Sequence, residues 1–173
     1  RKIDARVIDA FKIGFSPGSS KSLCDYLIKK KGHKGEDLLE AGLATYRGGR
    51  LTDFFINRIM FPLYDHRNNV VGFSGRVIQD DLSGSKYVNT RETLVYHKGS
   101  HFFGINKAID EIKKTGKVIV MEGEFDVISS FQNGIKNAVA VKGTALTENQ
   151  AMLLSRFSNT VSLCFDDDNA GIE

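Results

Sequence analysis

The sequence predicts a two-part chain, in which a mixed α+β region precedes an α/β region built on a parallel sheet. After Gly116, short apolar runs alternate with segments of helical spacing, in the order strand, helix, strand, helix, strand. This alternation implies right-handed crossovers and a Rossmann-like parallel sheet. Before Gly116, a hairpin pattern lies among short helices, which is typical of an α+β arrangement. We therefore divide the chain into residues 1–115 and 116–173.

Short helices are predicted near the start of the chain. Asp4 is suited to cap a helix in DARVIDAF, and the short extended piece KIGFSPGS follows. Ser19 or Ser20 could cap a second helix that runs as far as Lys30. A third helix, in GEDLLEAG, should end at Gly42, because glycine readily adopts the left-handed conformation that terminates helices.

The middle of the chain combines strands with one long helix. The runs IMFPLYD and VVGFSGRVI flank an Asn-rich turn at residues 66–69, which is the pattern of a β-hairpin, and KYVN is a further short strand. Apolar residues at helical spacing predict an amphipathic helix over residues 102–114 that ends near Gly116. Together they make the first part a mixed α+β region.

The second part contains three short, β-branched apolar runs, VIVM, NAVAV and VSLCF, which are typical of buried parallel strands. The segments FDVISSFQNG and TENQAMLLSRF between them have helical spacing. Cys164 in the last strand and Cys24 in the first part both have apolar neighbours. We therefore expect two reduced core thiols rather than a disulfide or a zinc site.

The bulk composition fits a globular protein without a transmembrane helix. The chain has 173 residues, of which 41% are hydrophobic, and this is enough for a substantial core. No apolar run approaches the roughly 20 residues that span a bilayer, so we expect a cytoplasmic protein without membrane partners. Because the chain begins with Arg1, we expect a fragment of a longer protein. The net charge of +3 does not by itself indicate nucleic-acid binding, but basic residues gather in the middle of the chain and acids at its end.

Two predicted strands end in carboxylates. Glu122 and Asp126 follow the first strand of the sheet, and residues 166–168 follow the last. Ligands of open α/β sheets bind beyond the carboxyl ends of the strands. Crowded carboxylates repel one another unless a cation neutralises them, and oxygen ligands without His or Cys favour Mg²⁺ or Mn²⁺. An extended backbone would let Asp166 and Asp168 share that metal, which predicts metal-assisted phosphoryl or nucleotidyl transfer.

Simpler interpretations remain open for each of these residues. Asp126 could be a first-turn acid that matches the helix dipole, and the aspartates could cap a following helix. Gly143 and Thr144 could approach a phosphate or form an ordinary strand-to-helix turn. Likewise, basic and aromatic residues of the middle region could hold phosphates and stack on a base, or form a scattered solvated surface.

A series of motifs in order along the chain resembles the RNA-polymerase core of bacterial DNA primases of the DnaG type. The motifs are NRIMFPLYD, VVGFSGRVI, KYVNTRET, VYHKG, FFGINKA, VIVMEGEFDV, AVAVKGTALT and FDDDNAG. After Gly116 they resemble a Toprim domain, truncated at its C-terminal end. The resemblance implies synthesis of short RNA primers on single-stranded DNA from ribonucleoside triphosphates with Mg²⁺ or Mn²⁺. It also implies a replicative helicase as partner, bound through a domain absent here, and a place at the bacterial replication fork.

The resemblance also implies roles for single residues. Glu122 matches the Toprim glutamate, a general base or metal-organising group, and Asp126 matches the acid of the E-G-x-x-D motif. Asp166 and Asp168 match the D-x-D metal ligands. Residues that match the nucleic-acid- and nucleotide-binding groove, or lie beside it, are Arg58, Arg76, Lys86, Tyr87 and Lys98.

Two departures from the family pattern and two rival functions stay open at this point. Glu124 stands where the family often has an aromatic residue, and Asp167 where glycine is common. Their extra negative charge could strengthen metal binding or hinder the approach of a phosphate. The rival functions are another Toprim enzyme, such as a topoisomerase or OLD-type nuclease, and a noncatalytic fragment that binds single-stranded DNA.

Overall fold

The computed structural model describes residues 2–78, 85–143 and 146–166. The helices are α1 (Ala5–Ala10), α2 (Ser22–Asp25), α3 (Gly35–Glu40), α4 (Ile105–Thr115), α5 (Glu124–Gln132) and α6 (Glu148–Ser155). The strands are β1 (Gly14–Ser16), β2 (Ala44–Arg47), β3 (Arg50–Asp53), β4 (Arg58–Tyr64), β5 (Val70–Val77), β6 (Tyr87–Asn89), β7 (Lys117–Met121), β8 (Ala138–Ala140) and β9 (Thr160–Cys164). A π-helical turn, Tyr26–Lys30, continues α2, and a 3-10 turn covers Lys98–Ser100.

The chain forms two compact units that are not continuous in sequence. Unit 1 contains residues 1–11, 63–71 and 97–173, and unit 2 contains residues 12–62 and 72–96. The predicted fold class, α+β followed by a parallel sheet, is confirmed by the order of the elements. Within the described ranges, each helix is too short or too polar to cross a membrane.

A four-stranded sheet in the order β1-β4-β5-β6 lies mainly in unit 2. The strands β1 and β4 pair antiparallel, with Phe15 opposite Ile59, and β5 and β6 pair antiparallel, with Arg76 opposite Tyr87. The predicted hairpin therefore forms from β4 and β5, and the KYVN strand joins it as β6.

Unit 2 contains a second hairpin, formed by β2 and β3, that was not predicted from the sequence. Its tip is Gly48-Gly49, with φ angles of 56° and 73°. Two consecutive positive φ angles are what a tight two-residue hairpin turn requires, and Gly-Gly supplies them without strain. This dipeptide was the local signal that could have predicted the hairpin.

The capping of α2 differs from the prediction. Neither Ser19 nor Ser20 caps the helix, because Lys21 stands at the N-cap position. The buried carboxylate of Asp53 instead accepts hydrogen bonds from the backbone N–H groups of Leu23 and Cys24, each at 2.8 Å. Because Asp53 lies about thirty positions along the chain from these amides, no local pattern could predict this cap.

In unit 1, β7 lies between β8 and β9 in a parallel sheet. Its core packs apolar residues of α4 and α6 against the sheet, and the buried members are Phe102, Ile105, Ala108, Ile112, Val118, Val120, Val139, Val141 and Leu154. The helix α4 begins at Ile105 rather than at residue 102, because Phe103 forms a backbone bridge with Ala140 and Gly104 has a φ of +80°. A side chain at Gly104 would also approach Val127 to 2.8 Å.

The expectation that both cysteines are core thiols is half wrong. Both are free thiols, and Cys24 is buried as predicted, but Cys164 is exposed. The physical reason is the position of β9, which pairs with β7 at the edge of the described sheet and has all five residues exposed. Burial, reinforced by a hydrogen bond to Asp53, raises the pKa of the Cys24 thiol to about 12.

We expect one rapidly reacting thiol per chain at neutral pH, measured with an aromatic disulfide reagent. Cys164 should react because it is exposed, whereas Cys24 should react only on unfolding because it is buried and protonated. Cys164→Ser should remove the fast phase. Two fast thiols in the native protein would contradict the placement of Cys24.

Candidate active site

The carboxyl ends of the three parallel strands align at one edge of the unit 1 sheet. Met121 at the end of β7 lies opposite Ala140 of β8 and opposite Cys164 of β9. Glu122 and Asp166 follow directly beyond this edge, and the Asp166 backbone N–H donates to Glu122 Oε1 at 2.8 Å. The structure therefore joins the two acidic strand ends that the sequence analysis singled out.

Of the other two predicted acidic residues, Asp126 and Asp168, the structure describes only Asp126. Asp126 lies in the first turn of α5, where its carboxylate folds against Gly123: a Cβ at Gly123 would lie 3.1 Å from Asp126 Oδ2. The Gly123 turn thus has little room for a side chain between Glu122 and the helix. Asp168, the second predicted metal ligand, lies outside the described residues, as does Asp167.

Glu124 is buried and forms an ion pair with Lys142 through its Oε1 atom. The exposed fractions of the two side chains are 5% and 4%. Burial lowers the pKa of Lys142, while the adjacent Glu124 carboxylate opposes this shift. The extra charge of Glu124 is therefore balanced by a cation inside the protein. This pair could not be predicted from the sequence because Glu124 begins α5 and Lys142 follows β8.

His101 lies near the same pair and is also buried. Burial lowers its pKa to about 4, and the charge of Lys142 acts in the same direction. His101 is therefore neutral at physiological pH. Its backbone carbonyl accepts a hydrogen bond from Gln150 Nε2 at 2.7 Å, which connects it to α6.

Lys98 lies beside the turn that follows β8. A Cβ placed on Gly143 would be 3.8 Å from Lys98 Cε, and both residues are exposed. The structure thus brings together an exposed glycine and a cation, which is a suitable combination for an anionic ligand. Thr144, predicted with Gly143 as a phosphate-adjacent residue, lies outside the described residues.

The other predicted groove residues lie in unit 2, on and beside β5 and β6. The guanidinium carbon of Arg76 is 5.7 Å from the centre of the Tyr87 ring, within the range of a cation–π contact. Lys86 precedes Tyr87 and is exposed. Arg76 and Tyr87 pair directly across β5 and β6, and Lys86 comes immediately before Tyr87. We call the surface that carries these three residues the β5–β6 face (Arg76, Lys86 and Tyr87).

Arg58 supports this face from within the sheet. Its guanidinium donates to the backbone carbonyls of Gly75, Ser85 and Lys86 at 3.1, 3.2 and 3.3 Å. Partial burial lowers its pKa, and the charge of Arg47 adds to this effect. The absence of a side chain at Gly75 makes room for the Arg58 side chain to reach these carbonyls, since a Cβ at Gly75 would lie 3.0 Å from Arg58 Cδ. Arg58 therefore holds the backbone on which Lys86 stands.

The donor chemistry of the strand ends fits a divalent cation, although the described residues complete no ligand set. No cluster of three or more His, Cys, Asp or Glu residues suited to a metal occurs in the ranges 2–78, 85–143 and 146–166. Glu122 and Asp166 nevertheless bring two carboxylate residues to one point, and the third predicted ligand, Asp168, follows two positions later. Oxygen donors of this kind suit hard divalent cations.

Two known family models match this chain, one in its first part and one in its second. Residues 1–109 match the model of the DNA primase catalytic core, N-terminal domain, and residues 119–173 match a Toprim-like model. The Toprim-like match implies a divalent metal. The DNA primase of Aquifex aeolicus is 42% identical over 176 residues, which cover 99% of this chain and 34% of that protein. The chain thus spans about a third of the length of this relative.

Solved structures show the same relationship. The RNA polymerase domain of Mycobacterium tuberculosis primase DnaG, in complex with a double-stranded DNA oligomer with an overhang, superposes with a TM-score of 0.91 and 36% identity, covering 98% of this chain and 55% of that one. A DnaG primase catalytic domain bound to single-stranded DNA gives a TM-score of 0.85 and 37% identity, covering 98% of this chain and 52% of that one. From the family models, the sequence identity and the shared fold, the chain belongs to the DNA primase catalytic-core family.

Proposed function

We propose that this chain is the catalytic part of a protein that synthesises short RNA primers on single-stranded DNA from ribonucleoside triphosphates. The observation that carries the proposal is the hydrogen bond between Asp166 and Glu122, which joins two acidic strand ends in a member of the primase family. The match of residues 1–109 to a primase domain favours this function over a topoisomerase or an OLD-type nuclease. Binding to a replicative helicase at the bacterial replication fork belongs to the same proposal.

In the proposed site, Asp166 and Asp168 hold Mg²⁺ or Mn²⁺, and Glu122 accepts a hydrogen bond from the backbone of Asp166. When bound, the metal neutralises negative charge that develops on the reacting phosphates. Glu122 or Asp126 takes the proton of the 3′-hydroxyl group, whose oxygen attacks the α-phosphorus of the incoming ribonucleoside triphosphate and displaces pyrophosphate. The hydrogen bond from the Asp166 amide to Glu122 restrains the Glu122 side chain, which reduces the cost of orienting it for the reaction.

The binding roles follow the charges in each unit. Lys98, with the turn at Gly143 and Thr144, is proposed to hold the triphosphate. The β5–β6 face is proposed to hold the template, with phosphate contacts from its cations and stacking on Tyr87. Arg58 has a supporting role, because its hydrogen bonds engage backbone carbonyls of this face.

Lys86→Ala in the complete protein is expected to weaken binding of single-stranded DNA and to reduce its salt dependence. Loss of one phosphate contact should lower the slope of log K against log salt by about 0.7. Fluorescence anisotropy of a labelled oligonucleotide at several salt concentrations measures both quantities. Lys29→Ala is the matched control, because this exposed lysine pairs with Asp25 and lies outside the β5–β6 face. An unchanged affinity and slope for Lys86→Ala would remove it from the template site.

The proposed function is tested by primer synthesis with Mg²⁺ or Mn²⁺, using this chain beside the complete protein. We expect the complete protein to extend ribonucleotides on a single-stranded template and to stop on chelation of the metal. If the chain binds DNA but makes no primer, it is a noncatalytic DNA-binding fragment of an active parent. A complete protein that makes no primer under these conditions would contradict the proposal.

A further inference from the structure

The hairpin of β2 and β3 carries an arginine on each side of its tip. Arg47 and Arg50 are directly opposite each other in the strand pairing, and both are exposed. Facing residues of an antiparallel pair project to the same side of the strands, and like charges in this position repel each other. This repulsion lowers the stability of the hairpin unless an anion binds beside the two guanidinium groups. The tip is therefore suited to a negatively charged ligand.

A third arginine, Arg91, joins the pair through Phe54, the residue that follows β3. Arg47 Nη2 donates to the Phe54 carbonyl oxygen at 3.5 Å, and the Arg91 guanidinium carbon lies 5.2 Å from the centre of the Phe54 ring. Arg91 is exposed as well. Among the residues that the structure describes, no carboxylate forms an ion pair with any of the three arginines. We call them the arginine cluster (Arg47, Arg50 and Arg91).

Phe54 also connects the cluster with the strand β5, inside unit 2. Its ring packs edge to face against that of Phe55, with centroids 4.9 Å apart, and a Cβ placed on Gly75 of β5 would lie 2.8 Å from Phe55 Cδ1. Burial, and then the charge of Arg47, lower the pKa of Arg58. Arg58 in turn donates to backbone carbonyls that carry the β5–β6 face. The arginine cluster is therefore within electrostatic reach of the residue that supports this face.

We propose that the arginine cluster is a second contact for the single-stranded template, which extends from the β5–β6 face to the β2–β3 hairpin. The identity of the anion rests on the proposed function. Guanidinium groups suit phosphates because two of their N–H groups can bind two phosphate oxygens at once. A nucleic-acid strand has a phosphate at every nucleotide, so one strand can contact both surfaces together. The added contacts tighten its binding and offset the repulsion between the arginines.

The test is the affinity of the complete protein for labelled oligothymidylates of increasing length, measured by fluorescence anisotropy at several salt concentrations. We expect Arg47→Gln/Arg50→Gln to weaken binding of long oligonucleotides by about tenfold, the usual order for lost hydrogen bonds to charged groups. The slope of log K against log salt should fall by about 1.4, the value for two phosphate contacts on a single strand. Both losses should shrink as the oligonucleotide becomes too short to reach beyond the β5–β6 face.

The stability of the same variant separates lost binding from structural damage. Denaturation by urea should show Arg47→Gln/Arg50→Gln to be at least as stable as the wild type, because the substitutions remove repulsion between facing charges. If the double variant does not fold, Arg50→Gln alone decides, with an expected fall of about 0.7 in the salt slope. A folded Arg50→Gln protein with an unchanged slope would then overturn the proposal.

Lys29→Gln/Lys30→Gln is the matched control, because it removes the same charge from two exposed residues of unit 2 outside the cluster. Both lysines lie on the π-helical turn that follows α2. Its affinity for DNA should stay within about twofold of the wild type. Equal losses in the control and in the arginine variant would reveal an effect of net charge and overturn the proposal. Unchanged DNA binding by the arginine variant would do the same, even if its affinity for ATP falls.

Failure of the arginine cluster and failure of the proposed function give different results. If Lys86→Ala weakens DNA binding and Arg47→Gln/Arg50→Gln does not, the cluster is excluded while the proposed function stands. If the arginine variant binds as expected but the wild-type protein makes no primers, the cluster is supported and the proposed function is contradicted. A wild-type protein that binds no single-stranded DNA would contradict both.

Discussion

Glu122→Gln in the complete protein is expected to lower the rate of primer synthesis at saturating substrate by at least about a hundredfold, the usual range for loss of a general base. Glutamine keeps an oxygen that can accept the hydrogen bond from the Asp166 amide, so the strand-end turn should keep its shape. What the substitution removes is the negative charge. Incorporation of labelled ribonucleotides on a single-stranded template measures the rate.

The matched control is Glu111→Gln. Glu111 lies on α4 and forms a long ion pair with the exposed Lys114, so its loss should leave primer synthesis unchanged. Near-ultraviolet circular dichroism would show that both variants are folded. A folded Glu122→Gln protein with a wild-type rate and unchanged Mg²⁺ dependence would exclude Glu122 from the chemistry.

Asp53→Ala is expected to lower the free energy of unfolding by about 3 kcal/mol, as judged from the worth of charged hydrogen bonds and helix caps. The substitution leaves the amides of Leu23 and Cys24 without the carboxylate that caps α2. Denaturation by urea measures the loss. Because Asp53 also helps to raise the pKa of Cys24, the same variant should make that thiol more reactive.

Asp25→Ala provides the comparison for Asp53. Asp25 forms an exposed ion pair with Lys29, which should contribute less than about 1 kcal/mol. The loss of unfolding free energy for Asp53→Asn should fall between these two values. The asparagine oxygen can still accept one of the two backbone hydrogen bonds, but its NH₂ group would face the other backbone N–H donor. Equal stability losses for Asp53→Ala and Asp25→Ala would show that the cap does not stabilise α2.

The fold was predictable where its signals are local. The strands and helices of the parallel sheet follow from short β-branched runs that alternate with segments of helical spacing, and Gly116 ends α4 at the expected place with a φ of 67°. Prediction failed where a distant contact decides the local structure. The bridge between Phe103 and Ala140 delays the start of α4, and Asp53 replaces the serines as the cap of α2.

The candidate site shows the same division. The rule that ligands bind at the carboxyl ends of parallel strands was enough to bring Glu122 and Asp166 together. It could not show that Glu124 is neutralised by Lys142, because the two residues meet only after β7, α5 and β8 have packed. Nor could spacing show that Arg58 donates to backbone carbonyls instead of projecting from the surface.

We propose that the acidic strand ends hold the catalytic metal. Anomalous diffraction from crystals of the complete protein soaked with Mn²⁺ tests it most directly. We predict a peak at coordination distance from carboxylate oxygens of Asp166 and Asp168, beside Glu122. Well-ordered strand ends without such a peak, in crystals that bind Mn²⁺ elsewhere, would contradict the claim.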